Sequence, residues 1–302
     1  MRVFLTGTTG YIGFNVALGF RRSGHEVWGL VRQPEKVNYL VRHEIHTVLG
    51  DMAKPETYAK IAAEADVIVH AAHDGWGGVV GPDRTAVEAL LEAAGKGPRA
   101  KALIYTSGVW VYGDTGDRMV DEGSPLNPAR AAVWRVAHEE LVLNATTARG
   151  VVIRPGCVYG KQGGLTGRWF AGALGRRPFE VVGDGWNRWA MVHVWDVADA
   201  YVRAAEKGNL GGEAFNLTDP SHTTIREMAT AAAAAAGYTG EIRYVPVAEA
   251  EQVMGPLAEA LSLEQRVTSR KASWTLGWKP RFPGFVQDVA TYLEAWKAYN
   301  SQ

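Results

Sequence analysis

The sequence predicts an α/β protein, a doubly wound parallel sheet joined to a smaller, interleaved C-terminal unit. Three observations carry that prediction. Over the first 160 residues, short β-branched runs alternate with helical segments, which is the pattern of parallel strands joined by crossover helices. A glycine-rich turn separates the first strand from the first helix. The chain has 302 residues, enough at about 150 per domain for two units and a large core.

Taken in order, Val3 to Thr6 reads as the first strand and Tyr11 to Arg22 as the first helix. Arg21 and Arg22 fall in its last turn and Gly24 just beyond it, where cations meet the negative end of the helix dipole and glycine ends the helix. His25 to Val31, His46 to Leu49 and Val67 to His70 are the next three strands. The apolar face Ala86, Leu90, Leu91 and Ala94 marks a helix closed by Gly95 and Gly97. Leu103 to Thr106 is the fifth strand, Ala131 to Asn144 a helix and Val151 to Arg154 the sixth strand. Beyond Gly160, Gly, Trp and Pro become frequent and the alternation lapses. Val192 to Ala205 still reads as a helix and Phe215 to Leu217 as a strand, both able to return to the first sheet; Thr224 to Ala236 reads as a helix ended by Gly237. The expected division is therefore residues 1–165 with 190–218 returning to them, and residues 166–189 with 219–302 as the smaller unit.

Composition excludes several classes of function. Thirty-two Lys and Arg balance thirty-two Asp and Glu without any block of five or more like charges, so neither a nucleic-acid footprint nor an anionic-membrane anchor is expected. Cys157 is the single cysteine, which leaves no intrachain disulfide and no cysteine-based zinc cluster and suits a reducing compartment. Met1 and Arg2 run directly into the first strand, and the most apolar stretch, Met228 to Gly237, is far shorter than the ~18 residues of a membrane span. A cytoplasmic location follows as an expectation. Eleven Trp, equal to the Tyr count and above the eight Phe, are the compositional anomaly.

The strongest motif is Thr6-Gly7-Thr8-Thr9-Gly10-Tyr11-Ile12-Gly13. Lying between a strand and a helix, its glycines can make a tight turn and admit a pyrophosphate against the helix N-terminus, so a dinucleotide site is expected. The Gly-x-x-Gly-x-x-Gly spacing resembles the short-chain dehydrogenase/reductase superfamily, in its extended branch of NAD-dependent epimerases and dehydratases. The resemblance extends through Gly50-Asp51, His70-Ala71-Ala72, Thr106 to Gly113, Arg154-Pro155-Gly156 with Val158-Tyr159-Gly160, His193 to Ala198, and Leu276 to Pro280.

That resemblance implies a Rossmann-type, nucleotide-binding first unit and a substrate-binding second one. It places Gly7, Thr9, Gly10, Tyr11, Ile12, Gly13, Asp51, Met52, Ala71, Ala72, Thr106, Pro155 and Gly156 around the cofactor, with Asp51 at the adenine. Charge then bears on which cofactor. NAD enzymes carry an acid at the end of the second strand for the ribose 2′-hydroxyl. Here that position is Val31, followed by Arg32, and a guanidinium beside an absent acid favours the 2′-phosphate of NADP over NAD. Family analogy adds a homodimer.

The catalytic position departs from the family, which uses a Tyr as acid/base and a Lys one helical turn later. Aligned on Glu139-Glu140-Leu141-Val142, the Tyr position holds Ala131 and the Lys position Arg135, and the chain has no Tyr-x-x-x-Lys. Arg135 can hold a ribose but, with a pKa above ~12, cannot relay a proton. Ser107 and His73 are the remaining catalytic candidates, His73 because a histidine titrates near neutrality. Tyr112 and His193 are expected to support the fold. Arg188, one residue from a family arginine that binds substrate phosphate, is the candidate substrate cation, and Trp76 and Trp110 are candidate substrate contacts.

Other chemistries fall short. His43-Glu44-Ile45-His46 is one residue short of a zincin motif, and Gly156 to Lys161 is one short of a P-loop. Ser107 lacks the flanking glycines of a nucleophile elbow, and no metal site is expected. Trp76, Trp110, Trp134, Trp186, Trp189 and Trp195 all fall in segments expected near the cleft, which suggests flat apolar walls suited to an aromatic or hydrophobic small molecule. The leading expectation is thus NADP-dependent hydride transfer on a small carbonyl or alcohol. A nucleotide-sugar epimerase or dehydratase and a non-catalytic NADP(H)-sensing protein are the alternatives.

Overall fold

A computed structural model describes residues 1–73, 80–97 and 100–301. In chain order the first half comprises β1 (Arg2–Thr6), α1 (Tyr11–Arg22), β2 (Glu26–Val31), α2 (Val37–Val41), β3 (His46–Leu49), α3 (Ala59–Glu64), β4 (Val67–His70), α4 (Gly81–Gly95), β5 (Ala102–Thr106), α5 (Val133–Leu143) and β6 (Arg149–Pro155). The remainder comprises β7 (Cys157–Tyr159), α6 (Gly167–Ala173), β8 (Glu180–Val182), β9 (Met191–His193), α7 (Val194–Glu206), β10 (Glu213–Leu217), α8 (Ile225–Ala235), β11 (Arg243–Val245), α9 (Val247–Met254), α10 (Leu257–Ser262), α11 (Arg270–Leu276) and α12 (Val289–Asn300).

Seven strands form one parallel sheet in the order β10-β6-β5-β4-β1-β2-β3. Alternation along each strand feeds two cores. Val3 and Leu5 of β1 point into a core closed by Phe14, Phe20, Val197 and Tyr201 of α1 and α7. Phe4 points the other way, among Tyr58, Ile68, Leu90, Leu103 and Val142 beneath α3, α4 and α5. The strand expected at Phe215 to Leu217 does return, as β10 beside β6. Ala272, Leu276 and Trp278, from the segment read as part of the smaller unit, pack into the α1–α7 core, and Trp278 Nε1 donates to the Asp196 carbonyl at 2.8 Å.

A third core lies beyond the carboxyl ends of the strands, built from Trp169, Trp189, Ile225, Phe285 and Trp296 and reaching Trp110 and Cys157. Two small sheets brace it, β7 with β9 and β8 with β11. Two helix starts differ from the sequence reading. Residues 130–132 form a tighter 3₁₀ turn, so α5 begins at Val133 rather than Ala131. Val192 lies in β9, and α7 begins only after His193, whose ring accepts the Trp195 N–H and caps the helix. Among the described residues, no helix is long and apolar enough to cross a membrane.

Candidate active site

β1 and β4 are neighbours in the sheet, but the chain leaves them toward opposite edges, so a crevice opens beyond their carboxyl ends. Thr6 ends β1 and Gly7 turns the chain with φ of +73°, in the left-handed region where glycine is at ease. A side chain there would also meet the backbone carbonyl of Ala71 at 2.4 Å. Thr8 pins the turn by donating its buried hydroxyl to the Leu5 carbonyl at 2.8 Å. Gly10 then caps α1, its carbonyl accepting the Phe14 N–H at 2.9 Å. The first turn of α1 thus brings its positive end and bare backbone to the crevice, which suits a pyrophosphate.

The crevice is a cleft of about 670 Å³ spanning the loops after β1 to β6. Every cofactor contact expected from the sequence lines it apart from Gly13. Gly13 is a packing residue instead. A Cβ on it would lie 2.1 Å from the Gly7 carbonyl oxygen, so the missing side chain lets α1 close against the loop. Arg32 enters directly after β2 and Asp51 just after β3. Thr106 is held in the floor, donating its hydroxyl to the His70 carbonyl at 2.7 Å while lying 2.7 Å from the Tyr201 hydroxyl.

The three catalytic candidates, Ser107, Arg135 and His73, all line the same cleft. Arg135 Nη1 donates to the Thr106 carbonyl at 2.8 Å, and its guanidinium lies 4.4 Å from the Trp134 ring centroid. The His73 ring is 5.7 Å from Trp134. Ser107 is fixed through its N–H, which donates to the Ile153 carbonyl at 2.8 Å, while its buried hydroxyl has no hydrogen-bond partner among the described residues. Two further lining groups are committed or neutral. The Tyr11 hydroxyl donates to the Gly160 carbonyl at 2.7 Å, and burial pushes the Cys157 thiol up to about 12. The walls from residues 107–110, 157–158 and 164–165 carry no charged side chain.

Behind the floor lies a polar cluster that the sequence reading missed. Thr6 Oγ1 is 2.7 Å from His70 Nδ1, and His70 Nε2 donates to Asp83 Oδ1 at 3.1 Å. The Tyr105 hydroxyl donates to Asp83 Oδ2 at 3.4 Å, and His138 Nε2 stands 3.7 Å from that same oxygen. Burial works to raise the Asp83 carboxyl, but the His70 hydrogen bond and the charges of His70, His138 and Arg135 outweigh it and hold the group below the ordinary carboxylate range. A signal was present in the sequence. Asp83 shares a helical face with Ala86, Val87, Leu90 and Ala94, all buried, and an acid on a buried face requires partners.

Several expected roles move elsewhere. Arg188 does not line the cleft; its Nη1 sits 3.2 Å from Glu264 Oε1 and its Nε donates to the His222 carbonyl at 3.0 Å, so its charge is spent within the smaller unit. Trp110 lines the cleft as expected, whereas Trp76 lies outside the described residues. Trp189 stacks on Trp169 in the core at 5.3 Å, Trp186 is exposed beside Arg226, and Trp195 lies over Lys161. Tyr112 supports the fold, its hydroxyl donating to Asn216 Oδ1 at 3.0 Å and receiving Arg154 Nη1 at 2.7 Å. Arg154 also pairs with Glu139 through Nε at 3.0 and 3.1 Å, both side chains buried. His193 stacks on Phe282 at 3.6 Å, and burial pushes its ring down to about 3, leaving it neutral.

Comparison with known proteins adds three relatives and a family. The sequence model of the NAD dependent epimerase/dehydratase family matches residues 3–218. The UDP-glucose 4-epimerase of Mycolicibacterium smegmatis is 28% identical over 324 residues, covering 97% of this chain and 98% of that protein. The 4-hydroxy-2-methyl-3-oxo-4-farnesyl-3,4-dihydroquinoline-1-oxide ketoreductase of Stigmatella aurantiaca is 27% identical over 271 residues, covering 86% of this chain and 80% of that protein. The crystal structure of human epimerase family protein SDR39U1 with NADPH shares the fold, with a TM-score of 0.78, 24% identity, and coverage of 97% and 99% of the two chains.

Proposed function

This chain belongs to the NAD dependent epimerase/dehydratase family, and we propose that it is an NADP-dependent oxidoreductase acting on a small apolar or aromatic carbonyl compound, or on the matching alcohol. The division of the cleft carries this reading. One end offers bare glycine backbone, a helix N-terminus and Arg32; the other, among the described residues, has uncharged walls and the buried, unpartnered hydroxyl of Ser107. An unpaired buried hydroxyl costs stability, and a carbonyl oxygen placed against Ser107 satisfies it.

The residues fit a nicotinamide dinucleotide, which when bound supplies or accepts the hydride. The turn from Gly7 to Gly10 and the first turn of α1 would hold the pyrophosphate, Arg32 would pair with the 2′-phosphate, and Arg135 would hold the ribose at the nicotinamide end. Ser107 donates to the substrate oxygen and fixes the carbonyl. As the carbon is reduced, that oxygen needs a proton. Arg135 cannot release one, the Tyr11 hydroxyl is engaged by Gly160 and the Cys157 thiol is held protonated. His73, the one histidine among the described lining residues, has a ring that can both give and take a proton and supplies it to the reduced oxygen, and by reversal it takes the proton when an alcohol is oxidised.

Two relatives support the choice of cofactor and substrate. The human fold relative carries NADPH in its crystal structure, and the Stigmatella ketoreductase is named for a farnesyl-bearing 3-oxo-dihydroquinoline, an apolar ketone. A nucleotide-sugar substrate is less well served, because Arg188, the cation that would meet its diphosphate, is neutralised by Glu264. The test is a titration with NADPH and NADH, followed by a screen of aromatic aldehydes and ketones and of nucleotide sugars for NADPH oxidation or product. NADPH binding with turnover on the carbonyl panel is expected. Turnover of nucleotide sugars alone overturns the substrate class, binding without any turnover supports a cofactor-sensing protein, and failure to bind either nucleotide overturns the whole reading.

A further inference from the structure

His73 and Arg135 reach the cleft from different elements, one from the loop after β4 and the other from α5. One side chain touches both. The Arg135 guanidinium lies 4.4 Å from the centroid of the Trp134 ring, and the His73 ring packs 5.7 Å from it at an interplanar angle of 44°. Trp134 itself does not line the cleft.

The indole is in turn fixed from behind. Its Nε1 donates to the Ala131 carbonyl at 3.2 Å. The His138 ring meets it edge to face at 5.2 Å and 87°, and His138 Nδ1 donates to the Trp134 carbonyl at 2.7 Å. Because a carbonyl can only accept, Nδ1 must carry the hydrogen, which turns Nε2 toward Asp83, 3.7 Å away. Asp83 is locked by His70. A continuous chain of contacts therefore runs from β1 and β4, through α4 and α5, to a flat ring on which the Arg135 guanidinium and the His73 imidazole both rest.

We propose that Trp134 is a positioning residue, which orients Arg135 and His73 for their roles at the nicotinamide end without touching cofactor or substrate. The inference rests on the functional reading above. It follows from the geometry of a long guanidinium stem, which has many rotamers in open solvent; stacking on a ring together with the bond to the Thr106 carbonyl leaves it one orientation. The imidazole of His73 packs against the same indole at its 44° tilt.

A double-mutant cycle separates this role from a general structural one. NADPH affinity is measured by calorimetry for wild type, Trp134→Leu, Arg135→Gln and the double variant, with melting curves as the check on folding. Trp134→Leu is expected to raise the Kd about three- to tenfold when Arg135 is present and to change it little when Arg135 is already Gln; Trp134→Phe, which keeps a flat ring, is expected to recover most of the loss. An equal loss in both backgrounds, or none in either, overturns the proposal. A second measurement is independent of cofactor. In wild type the Arg135 Nε–H and His73 ring proton resonances are expected to be shifted by the Trp134 ring current, and in Trp134→Leu to return to ordinary positions; unshifted wild-type signals overturn the proposal. If the shifts are present but NADPH does not bind, the functional reading fails while the stack itself stands, so the two failures are told apart.

Discussion

Replacing Arg32 with Ala is expected to weaken NADPH binding about tenfold while leaving NADH within a factor of two or three. Arg32 directly follows β2 and lines the cleft. The residue before it, Val31, is wholly buried in the core and offers neither charge nor hydrogen bond to a ribose. A charge-assisted hydrogen bond contributes roughly 1.5–3 kcal/mol. Arg32 is exposed, so water and salt screen the pair, and the lower end of that range applies. About 1.4 kcal/mol is a factor of ten in affinity. Arg32→Asp removes the same contact and adds repulsion between a carboxylate and the phosphate, so NADH should then bind more tightly than NADPH. Calorimetric titration of both nucleotides at two ionic strengths is the assay, and the NADPH preference should shrink as salt rises. A wild-type protein that prefers NADH, or an Arg32→Ala variant with undiminished NADPH affinity, would refute the reasoning.

Three further outcomes follow from buried groups. Ser107→Ala should lower kcat by about a hundredfold or more with NADPH affinity unchanged, and, because the lost hydroxyl has no partner among the described residues, the variant should melt no lower than wild type; a matching loss of stability and activity would contradict this. Glu139→Gln strands the buried Arg154 guanidinium and should cost about 3–5 kcal/mol, visible as a melting point lower by roughly 6 °C or more, whereas replacing both partners with Leu should cost less. Asp219 is buried, and desolvation raises its carboxyl to about 6. Its protonated form is the one the fold favours, so that contribution is complete below about pH 4 and is lost as pH rises through 6. Asp219→Asn should therefore be more stable than wild type by about 1–3 kcal/mol at pH 8, with the gain vanishing toward pH 4; denaturant titrations at both pH values measure it.

The sheet and the cofactor end of the cleft were legible because their signals are local. The helix over Tyr11–Arg22 and the strands His46–Leu49 and Val67–His70 have the bounds expected from periodicity and end signals, and the glycine turn announces itself by position between strand and helix. What was not legible depends on partners remote in sequence. Arg188 looked like a free cation because Glu264, its counter-charge, lies 76 positions on. Gly13 looked like a ligand contact because its spacing from Gly7 does not reveal that the two pack backbone to backbone. β7, β8, β9 and β11 have three residues each, too few for a period of two to register. The tryptophans were misread as a group, since a Trp near a motif in sequence is as readily a core residue, as the Trp169–Trp189 stack demonstrates.

The close approach of Gly13 to Gly7 means that the turn proposed to hold the phosphates packs main chain on main chain, with no room for a side chain at either glycine. On the proposed function, cofactor preference then rests on Arg32, one exposed position just after β2, while Ser107, Val109, Trp110, Cys157, Val158 and Leu165 give the opposite walls their side chains. The two ends can change independently. On the proposed function, substrate choice can be retargeted at Val109, Trp110 and Leu165 without disturbing the nucleotide seat, and one nicotinamide cofactor exchanged for the other at Arg32 without disturbing the substrate.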